Sequence, residues 1–300
     1  MKKSKYAGLI GWLIAAASST LALWLVFTPP LTPPPGPLRV KVEQIREQPT
    51  PETEDQQLAM IVPPPVLPEH PFTLPPGHKP EIAIIIDDMG LNLSGSRRAV
   101  KLPRFVTLSY MPYAERLDEQ TTAAHEEGHE LLLHMPMEPI GREDPGPGAL
   151  LVNLSADQVR ARLDHALDSF GGFDGVNNHM GSKFTAYAPG MEIVVGELKK
   201  RGLFFLDSRT SAKSVGAEIA RKDNLPTVTR DVFLDDSLAP EAIRAQLAAT
   251  ERVATRKGYA IAIGHPHEAT LKALEEWLPD AEKRGFEFVA AHDLVNGPNQ

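Results

Sequence analysis

The stretch AIIIDDMG, residues 83–90, places two adjacent carboxylates, Asp87 and Asp88, directly behind four apolar residues. The apolar run is typical of a buried strand, and charges at its end are costly to bury unless they are paired or bind a metal. Two carboxylates in contact also disfavour each other's ionisation. The doublet is therefore either a turn followed by a helix cap or part of a functional site, and the rest of the chain has to distinguish these alternatives.

The composition narrows the classes of protein and the chemistry that the chain can use. Its 300 residues are 42% hydrophobic, which is ordinary for a globular protein, and its net charge of −8 gives no basic field for nucleic acid. The chain has no cysteine, which removes disulfides and thiolate ligands. Histidine, aspartate and glutamate are then the strong metal ligands that remain.

The N-terminus predicts a membrane segment. Three lysines precede an uncharged run from Ala7 to Phe27, and these 21 residues span roughly 30 Å at about 1.5 Å each as a helix. The lysines favour a cytoplasmic N-terminus. We expect residues 1–27 to anchor the chain in the inner membrane, with the globular part in the periplasm. A cleaved signal peptide that releases a periplasmic protein is the alternative.

A proline-rich segment separates this N-terminus from the rest of the chain. Residues 28–80 hold 16 of the 28 prolines, in clusters such as TPPPGP and VPPPVLP. Such a stretch cannot build a helix or a sheet ladder and favours extended, semi-rigid conformations. We expect a linker over residues 28–80 and a folded domain over residues 81–296. The alternative for the linker is a proline-rich ligand for a partner protein.

From residue 81 onward, strand-like and helix-like segments alternate. The segments EEGHELLLH, KRGLFFLD, RKGYAIAIGH and KRGFEFVA share one pattern, in which a charged helix end is followed by glycine and then by a strand. This alternation predicts an α/β fold with a parallel sheet. A distorted (β/α) barrel of seven to eight strands fits the pattern, and a doubly wound open sheet is the alternative. Predicted helices lie near 113–127, 155–170, 190–201, 239–257 and 268–284, and predicted strands near 82–86, 104–110, 130–134, 174–178, 203–206, 226–229, 259–263 and 286–290.

Polar side chains collect where the predicted strands end, which is the edge that carries the site in either fold. Turn and capping preferences account for aspartate, asparagine and serine at such positions. They do not account for His134, His179 and His265, which all stand behind or at the end of apolar runs. The other polar residues at predicted strand ends are Asp87, Asp88, Glu138, Asn177, Asn178, Ser182, Asp207, Ser208, Arg209, Asp235, Asp236, His267 and Glu268.

This set of side chains predicts a metal-assisted hydrolytic site. Imidazole and carboxylate without thiolate suit a divalent metal, Zn²⁺ first, with Mn²⁺, Co²⁺ or Ni²⁺ as alternatives. A carboxylate beside the metal would take a proton from water, and a histidine on the opposite wall would protonate a leaving group. That combination fits hydrolysis of an acyl group.

Four motifs give the chain a resemblance to a known family. IAIIIDDMG, HMPMEP, NNHMGSKFT and FFLDSRT resemble the divergent polysaccharide deacetylase family, also called YibQ-like proteins. AIIIDDMG, GHELLLH and AIAIGH are similar, more loosely, to the first, second and fifth motifs of the NodB-homology deacetylases. The resemblance covers roughly residues 80–295. It implies a distorted (β/α) barrel with a metal at the strand ends.

The resemblance also implies roles for individual residues. Asp87 would be the catalytic base, and His265 the catalytic acid. Asp88 and His134 would be metal ligands. The arginine–proline third motif of the superfamily is absent, and NNHMGS stands in its region, so His179 is assigned the missing ligand place.

Further candidates surround this set. Glu138 occupies the position of the family's second metal histidine and is a reserve ligand. Asp207 is a candidate for orienting a ligand or the base. Ser182 and His267 are additional candidates for ligation or support. For Asp207 and Asp235, plain strand-end turns are the alternative.

The resemblance implies a hydrolase that removes N- or O-acetyl groups from envelope polysaccharide or peptidoglycan, acting on carbon–nitrogen bonds where the substrate is an amide. The expected partners are this carbohydrate, the inner membrane through the N-terminal helix and other envelope proteins. The alternative is a catalytically inactive barrel that binds glycan or assists envelope assembly. The altered second and third motifs favour that alternative, whereas the aspartate pair and the three histidines favour the enzyme.

Overall fold

The computed structural model describes residues 77–295, and the predicted anchor over 1–27 and nearly all of the proline-rich linker lie outside them. Within the described range, no helix is both long and apolar enough to cross a membrane. The strands are β1 (Glu81–Met89), β2 (Thr107–Tyr110), β3 (Leu131–Met137), β4 (Gly175–Met180), β5 (Phe204–Asp207), β6 (Thr227–Thr229), β7 (Val232–Phe233), β8 (Tyr259–Gly264) and β9 (Glu287–Phe288). The helices are α1 (Leu93–Ala99), α2 (Leu117–Glu126), α3 (Ala156–Leu167), α4 (Ala188–Arg201), α5 (Gly216–Lys222), α6 (Pro240–Lys257), α7 (Glu268–Lys283) and α8 (Ala291–Val295).

Every strand pairing in this domain is parallel, and the sheet follows the order β6-β5-β4-β3-β2-β1-β8-β7, with β9 added beside β1. This is the cyclic order of a (β/α) barrel that is open at one seam, between β6 and β7. Only Arg230 and Asp231 separate these two edge strands in the chain, so the sheet curls until its edges approach. The predicted parallel α/β fold is confirmed as a curled half-barrel consistent with the NodB type. A doubly wound sheet would reverse its strand order at a switch point, and this sheet does not.

Side-chain alternation along the strands separates two apolar layers. On β1, Ile82, Ile84 and Ile86 face the surrounding helices. Ala83 and Ile85 face the barrel interior, where they pack with residues of other strands and with α8. α8 therefore covers the interior from the end opposite to the carboxyl edge of the strands.

The glycine and capping-box signals for helix ends agree with the structure, although the helix predicted over 113–127 begins at Leu117 and the one over 155–170 ends at Leu167. Gly202 and Gly258 end α4 and α6 in the left-handed conformation, with φ of 70° and 88°. Ser155 and Gln158 form the capping box that their spacing predicts at the start of α3. The sequence pattern did not reveal α1, α5 and α8, because these helices are only 7, 7 and 5 residues long. It also missed the two-residue strand β7.

We expect the central strand to carry much of the folding stability. Ile84 is completely buried, so Ile84→Ala should lower the free energy of unfolding by about 2–5 kcal/mol through lost burial and a cavity. Urea unfolding of the full chain measures this change. Leu238→Ala is the matched control, because Leu238 is 50% exposed and its truncation should change stability by less than about 0.5 kcal/mol. Equal effects in the two variants would contradict the assignment of β1 to the core.

Candidate metal centre and proton-transfer groups

The carboxylate doublet lies in a β-bulge at the end of β1. Ile86 pairs with Leu108 and Met89 pairs with Tyr110, so three steps along β1 match two steps along β2. Asp88 takes the left-handed conformation, with φ of 55°. In a regular strand, adjacent side chains point to opposite faces, whereas a bulge redirects one of them. The bulge thus allows both carboxylates to reach the same site.

Asp88, His134 and His179 form a cluster of three metal-ligand atoms. Asp88 Oδ1 lies 2.9 Å from His179 Nδ1 and 3.3 Å from His134 Nε2. The two ring nitrogens lie 3.2 Å apart. These distances bring one oxygen and two nitrogens from three strands to a common point.

The chemistry of this cluster fits a divalent cation. His134 Nδ1 contacts the side-chain oxygen of Asn177 at 2.8 Å, so that ring nitrogen carries the hydrogen and Nε2 presents a lone pair. Asp88 Oδ1 is buried and has no hydrogen-bond donor in suitable geometry despite the short distances. An imidazole–imidazole–carboxylate set with an unsatisfied oxygen is the donor set that Zn²⁺ and related metals take. The residues therefore fit a divalent metal.

The charges in the cluster support this interpretation. Burial alone would raise the pKa of Asp88, but the imidazoles of His134 and His179 hold it well below the ordinary value. Asp88 is therefore ionised. Burial would lower the pKa of His134, but Asp87 and Asp88 raise it. A metal and a proton would compete for the Nε2 atom of His134, so metal binding should release a proton.

Asn177 connects the cluster to Asp87. Its side-chain oxygen accepts hydrogen bonds from Ser109 Oγ at 2.6 Å and His134 Nδ1 at 2.8 Å. Its amide nitrogen donates to Asp87 Oδ1 at 2.8 Å. Asn177 pairs with His134 in register across β3 and β4, and His179 lies two residues further on the same face of β4. One amide thereby fixes a ligand and the neighbouring carboxylate together.

Asp87 lies beside the ligands without joining their cluster. Its Oδ2 is 3.6 Å from His134 Nε2, and the residue is 3% exposed. Burial raises the pKa of Asp87, against the opposing effect of His134. The adjacent carboxylates therefore differ: the pKa of Asp88 is lowered and that of Asp87 is raised. A buried carboxylate with a raised pKa suits proton transfer.

His265 also lies beside the cluster, where its Nε2 is 3.9 Å from Asp88 Oδ2. Its Nδ1 is 3.0 Å from Asp235 Oδ1, and its backbone N–H donates to Asp235 Oδ2 at 2.7 Å. Thr270 Oγ1 also donates to Asp235 Oδ2. Burial would lower the pKa of His265, but Asp235, with smaller contributions from Asp88 and Asp87, raises it to about 9. His265 is therefore a protonated imidazole held in one orientation.

The other predicted site residues lie outside this arrangement. Glu138 accepts hydrogen bonds from Lys183 Nζ and from the backbone N–H of Val152, both at 2.6 Å, so its oxygens are occupied away from the ligand cluster. Ser182 Oγ accepts a hydrogen bond from the backbone N–H of Ile140 and supports the loop after β3.

Asp207 and His267 also stand apart from the three ligands. Asp207 accepts hydrogen bonds from the backbone of Arg209 and from Ser214 Oγ, on the helix side of β5. His267 precedes α7 as its N-cap, and its ring centroid lies 5.8 Å from that of His265. With Asp235 and His265 it forms a second group of closely spaced ligand atoms.

Asn177 and Asp235 stand at predicted strand ends, but the sequence motifs assign neither of them to the site. Asparagine is common in turns, so only its register against His134 reveals the role of Asn177. Asp235 follows the short strand β7, which the sequence did not reveal. The available signal was the run VFLDD, in which an acidic pair follows apolar residues as it does in IIIDD.

A curled parallel α/β barrel with this cluster at its carboxyl edge defines a protein of the polysaccharide-deacetylase type. The family model for divergent polysaccharide deacetylase matches residues 84–295, so the chain belongs to that family. The resemblance in the sequence motifs is thereby confirmed.

Individual relatives agree with this assignment. The chain is 33% identical over 222 residues to the uncharacterised protein YibQ of Escherichia coli strain K12, covering 73% of this chain and 68% of YibQ. An uncharacterised protein of Haemophilus influenzae is 36% identical over 198 residues, which are 66% of this chain and 71% of that protein. The crystal structure of an uncharacterised protein from Agrobacterium tumefaciens C58 superposes with a TM-score of 0.71 at 31% identity, covering 77% of this chain and 99% of that one.

We expect the full chain to bind a single Zn²⁺ or Co²⁺ through the three-atom cluster. Asn177→Ala should weaken binding by about 10–100-fold, as loss of a residue that orients a ligand does, and Asp88→Ala or His179→Ala should weaken it further. Titration against a competing chelator measures the affinity. His125→Ala is the control, because His125 is exposed and contacts the carbonyl of Gly172. Undiminished affinity in Asp88→Ala would exclude the cluster as the metal site.

The pair of His265 and Asp235 predicts a measurable titration. In metal-free protein, Asp235→Asn should lower the pKa of His265 from about 9 toward the unperturbed value, as read by NMR. Because the folded pKa exceeds the unfolded value of about 6.5, the stabilisation from protonating His265 is complete below pH 6.5 and is lost as the pH rises through the folded value. Asp231→Asn is the control, since Asp231 pairs with Lys257. An unchanged pKa of His265 in Asp235→Asn would refute the coupling.

Proposed function

We propose that the protein is a metal-dependent hydrolase that removes N- or O-acetyl groups from an envelope carbohydrate, a polysaccharide or peptidoglycan. The observation that carries the proposal is that the ligand cluster has two different proton-transfer groups beside it. Asp87 lies 3.6 Å from the ligand atom of His134, and His265 lies 3.9 Å from Asp88. Membership of the divergent polysaccharide deacetylase family supports the choice of an acetylated glycan.

In this proposal Asp88, His134 and His179 hold a divalent cation. Zn²⁺ is the first candidate, and Mn²⁺, Co²⁺ or Ni²⁺ are alternatives. When bound, such an ion polarises the acetyl carbonyl and lowers the pKa of water. Asn177 fixes the orientation of His134, which keeps its Nε2 lone pair directed at the ion position.

Asp87 is the proposed general base. Its position beside the ligands and its raised pKa suit a carboxylate that accepts a proton from the attacking water. The hydrogen bond from Asn177 holds Oδ1, so Oδ2 is the oxygen that takes the proton.

His265 is the proposed general acid. Its pKa is about 9 in the metal-free protein, and its pairing with Asp235 favours the protonated ring, which donates its proton to the departing amine or hydroxyl of the sugar. Asp235 remains ionised, since its own pKa is lowered by His265 against the effect of burial, and it holds Nδ1 so that Nε2 faces the substrate. The proposed base and the proposed acid thus each lie within 4 Å of a different member of the ligand cluster, His134 and Asp88.

We also propose a cellular location for the protein. The lysines and the uncharged run of residues 7–27 support an inner-membrane anchor with the catalytic domain in the periplasm, or a periplasmic protein after signal cleavage. The proline-rich residues 28–80 would then separate the domain from the membrane. The proposed partners are the glycan substrate, the membrane and other envelope proteins.

We expect Zn²⁺- or Co²⁺-loaded full-length protein to release acetate from acetylated glycans, such as oligomers of N-acetylglucosamine or O-acetylated polysaccharide. Asp87→Asn and His265→Gln should each lower kcat by about 10²–10⁴-fold, because each removes a proton-transfer group. An enzymatic acetate assay measures the rate. His125→Gln serves as the control, since this exposed side chain contacts the carbonyl of Gly172.

Two outcomes would change the proposal. Unaltered acetate release in Asp87→Asn would remove the assignment of the base. Absence of acetate release by metal-loaded wild type across N- and O-acetylated substrates, with glycan binding retained, would support the alternative of an inactive glycan-binding barrel.

A further inference from the structure

Arg209 has a backbone conformation that arginine rarely adopts. It follows β5 at the carboxyl edge of the sheet, and its φ of 46° lies in the left-handed region that favours glycine. Among residues 77–295, five non-glycine residues share a positive φ. They are Asp88, Arg116, Met180, Arg209 and Asn224. Asp88 is a ligand of the proposed metal and Met180 directly follows another, so this conformation is concentrated beside the site.

Buried groups hold the backbone of Arg209 in place from both sides. Its N–H donates to Asp207 Oδ1 at 2.8 Å, and its carbonyl accepts a hydrogen bond from Arg230 Nη2 at 2.8 Å. Arg230 is 7% exposed and also donates through Nε to the carbonyl of Ser208 at 2.5 Å. These bonds use only the main chain of residue 209, so they would equally hold a glycine. The hydrogen bonds that hold this turn therefore leave the arginine side chain unused.

The turn lies directly against the ligand His179. The backbone N–H of Ser208 donates to Asn178 Oδ1 at 2.9 Å, and Thr210 Oγ1 donates to the carbonyl of Met180 at 2.7 Å. The residues on each side of Arg209 thus bind the residues on each side of His179. The turn that contains Arg209 is thus bound to the strand segment that carries His179.

The guanidinium of Arg209 has no partner within the described part of the chain. The guanidinium makes neither a hydrogen bond nor an ion pair there, although the residue is partly buried. Five arginines of the described residues form ion pairs with carboxylates, and Arg209 is not among them. They are Arg98, Arg116, Arg160, Arg201 and Arg284. The buried guanidinium of Arg230 lies near that of Arg209, so two cations occur together in this turn although the chain as a whole carries a net charge of −8.

We propose that Arg209 binds an anionic substituent of the glycan, a carboxylate or a phosphate, so that the protein selects acidic over neutral acetylated glycans. The inference rests on the proposed function, because it concerns the substrate of the same site. A guanidinium matches either anion through two parallel N–H donors. Local positive charge would also offset the repulsion that a negatively charged protein exerts on an acidic polymer.

Binding titrations of the Zn²⁺-loaded full chain test this selection. The probes are N-acetylglucosamine tetrasaccharide, a tetrasaccharide of alternating N-acetylglucosamine and N-acetylmuramic acid, and the first probe carrying a phosphate. Wild type should bind one or both acidic probes at least about tenfold more tightly than the neutral probe, the size expected for a charge-assisted contact. The two acidic probes distinguish carboxylate from phosphate recognition. Added salt should reduce the preference.

Substitutions separate binding from folding. Arg209→Gln should abolish the preference for acidic probes. Arg209→Gly should abolish it as well, while its Tm should be no lower than that of wild type, because glycine adopts a positive φ without strain. Arg221→Gln removes the same charge from an exposed position near the end of α5 and should keep the preference.

Several results would overturn the inference. They are equal binding of acidic and neutral probes by wild type, binding of none of them, or an undiminished preference in Arg209→Gln. A fall of Tm in Arg209→Gly would show that the side chain serves the fold. The outcome is independent of the catalytic proposal, since acetate release without acidic preference would overturn only this inference. Acidic preference without acetate release from any probe would overturn only the deacetylase.

Discussion

Asp87 and Asp88 bring two negative charges into a largely buried site, and the surrounding groups are arranged to compensate them. His134 and His179 approach Asp88, while the amide of Asn177 donates to Asp87. Burial raises the pKa of Asp87, whereas at Asp88 the imidazoles of His134 and His179 outweigh burial and hold the pKa well below its ordinary value. Two adjacent carboxylates would be unfavourable if both were equivalent. Their adjacency becomes tolerable because Asp88 is the proposed metal ligand and Asp87 is the proposed base.

The barrel supplies these neighbours by register and side-chain alternation. Positions 85, 132 and 206 face the interior, so positions 87, 134 and 208 also face inward, at the carboxyl edge. Asp207 falls on the opposite face of β5, where it binds Ser214 and the start of α5 instead of the ligands. By the same alternation, the side chain of Asp88 would point away from the site. The β-bulge, in which Asp88 has a left-handed conformation, redirects this side chain toward the site.

Much of the fold could be predicted because its signals are local. The glycine that ends α6, the capping box of α3 and the apolar run of β1 each depend on a few neighbouring residues. The three histidines at strand ends were predictable for the same reason, once a parallel sheet was expected. The exclusion of Glu138 from the cluster was not, because its partners Lys183 and Val152 lie 45 and 14 residues away in the chain. A position in a motif does not specify which of its neighbours a side chain will bind.

The sequence by itself determined the α/β class, the family and the kinds of ligand available, because periodicity, helix caps and motif residues each depend on short segments of the chain. Only the tertiary structure decided which of those residues lie together and which contacts each of them makes. The joining of Asn177 to both His134 and Asp87, the support of His265 by Asp235 and the seating of Arg209 beside His179 all link residues far apart in sequence. Such contacts follow from strand register and from the curling of the sheet, which no single segment specifies.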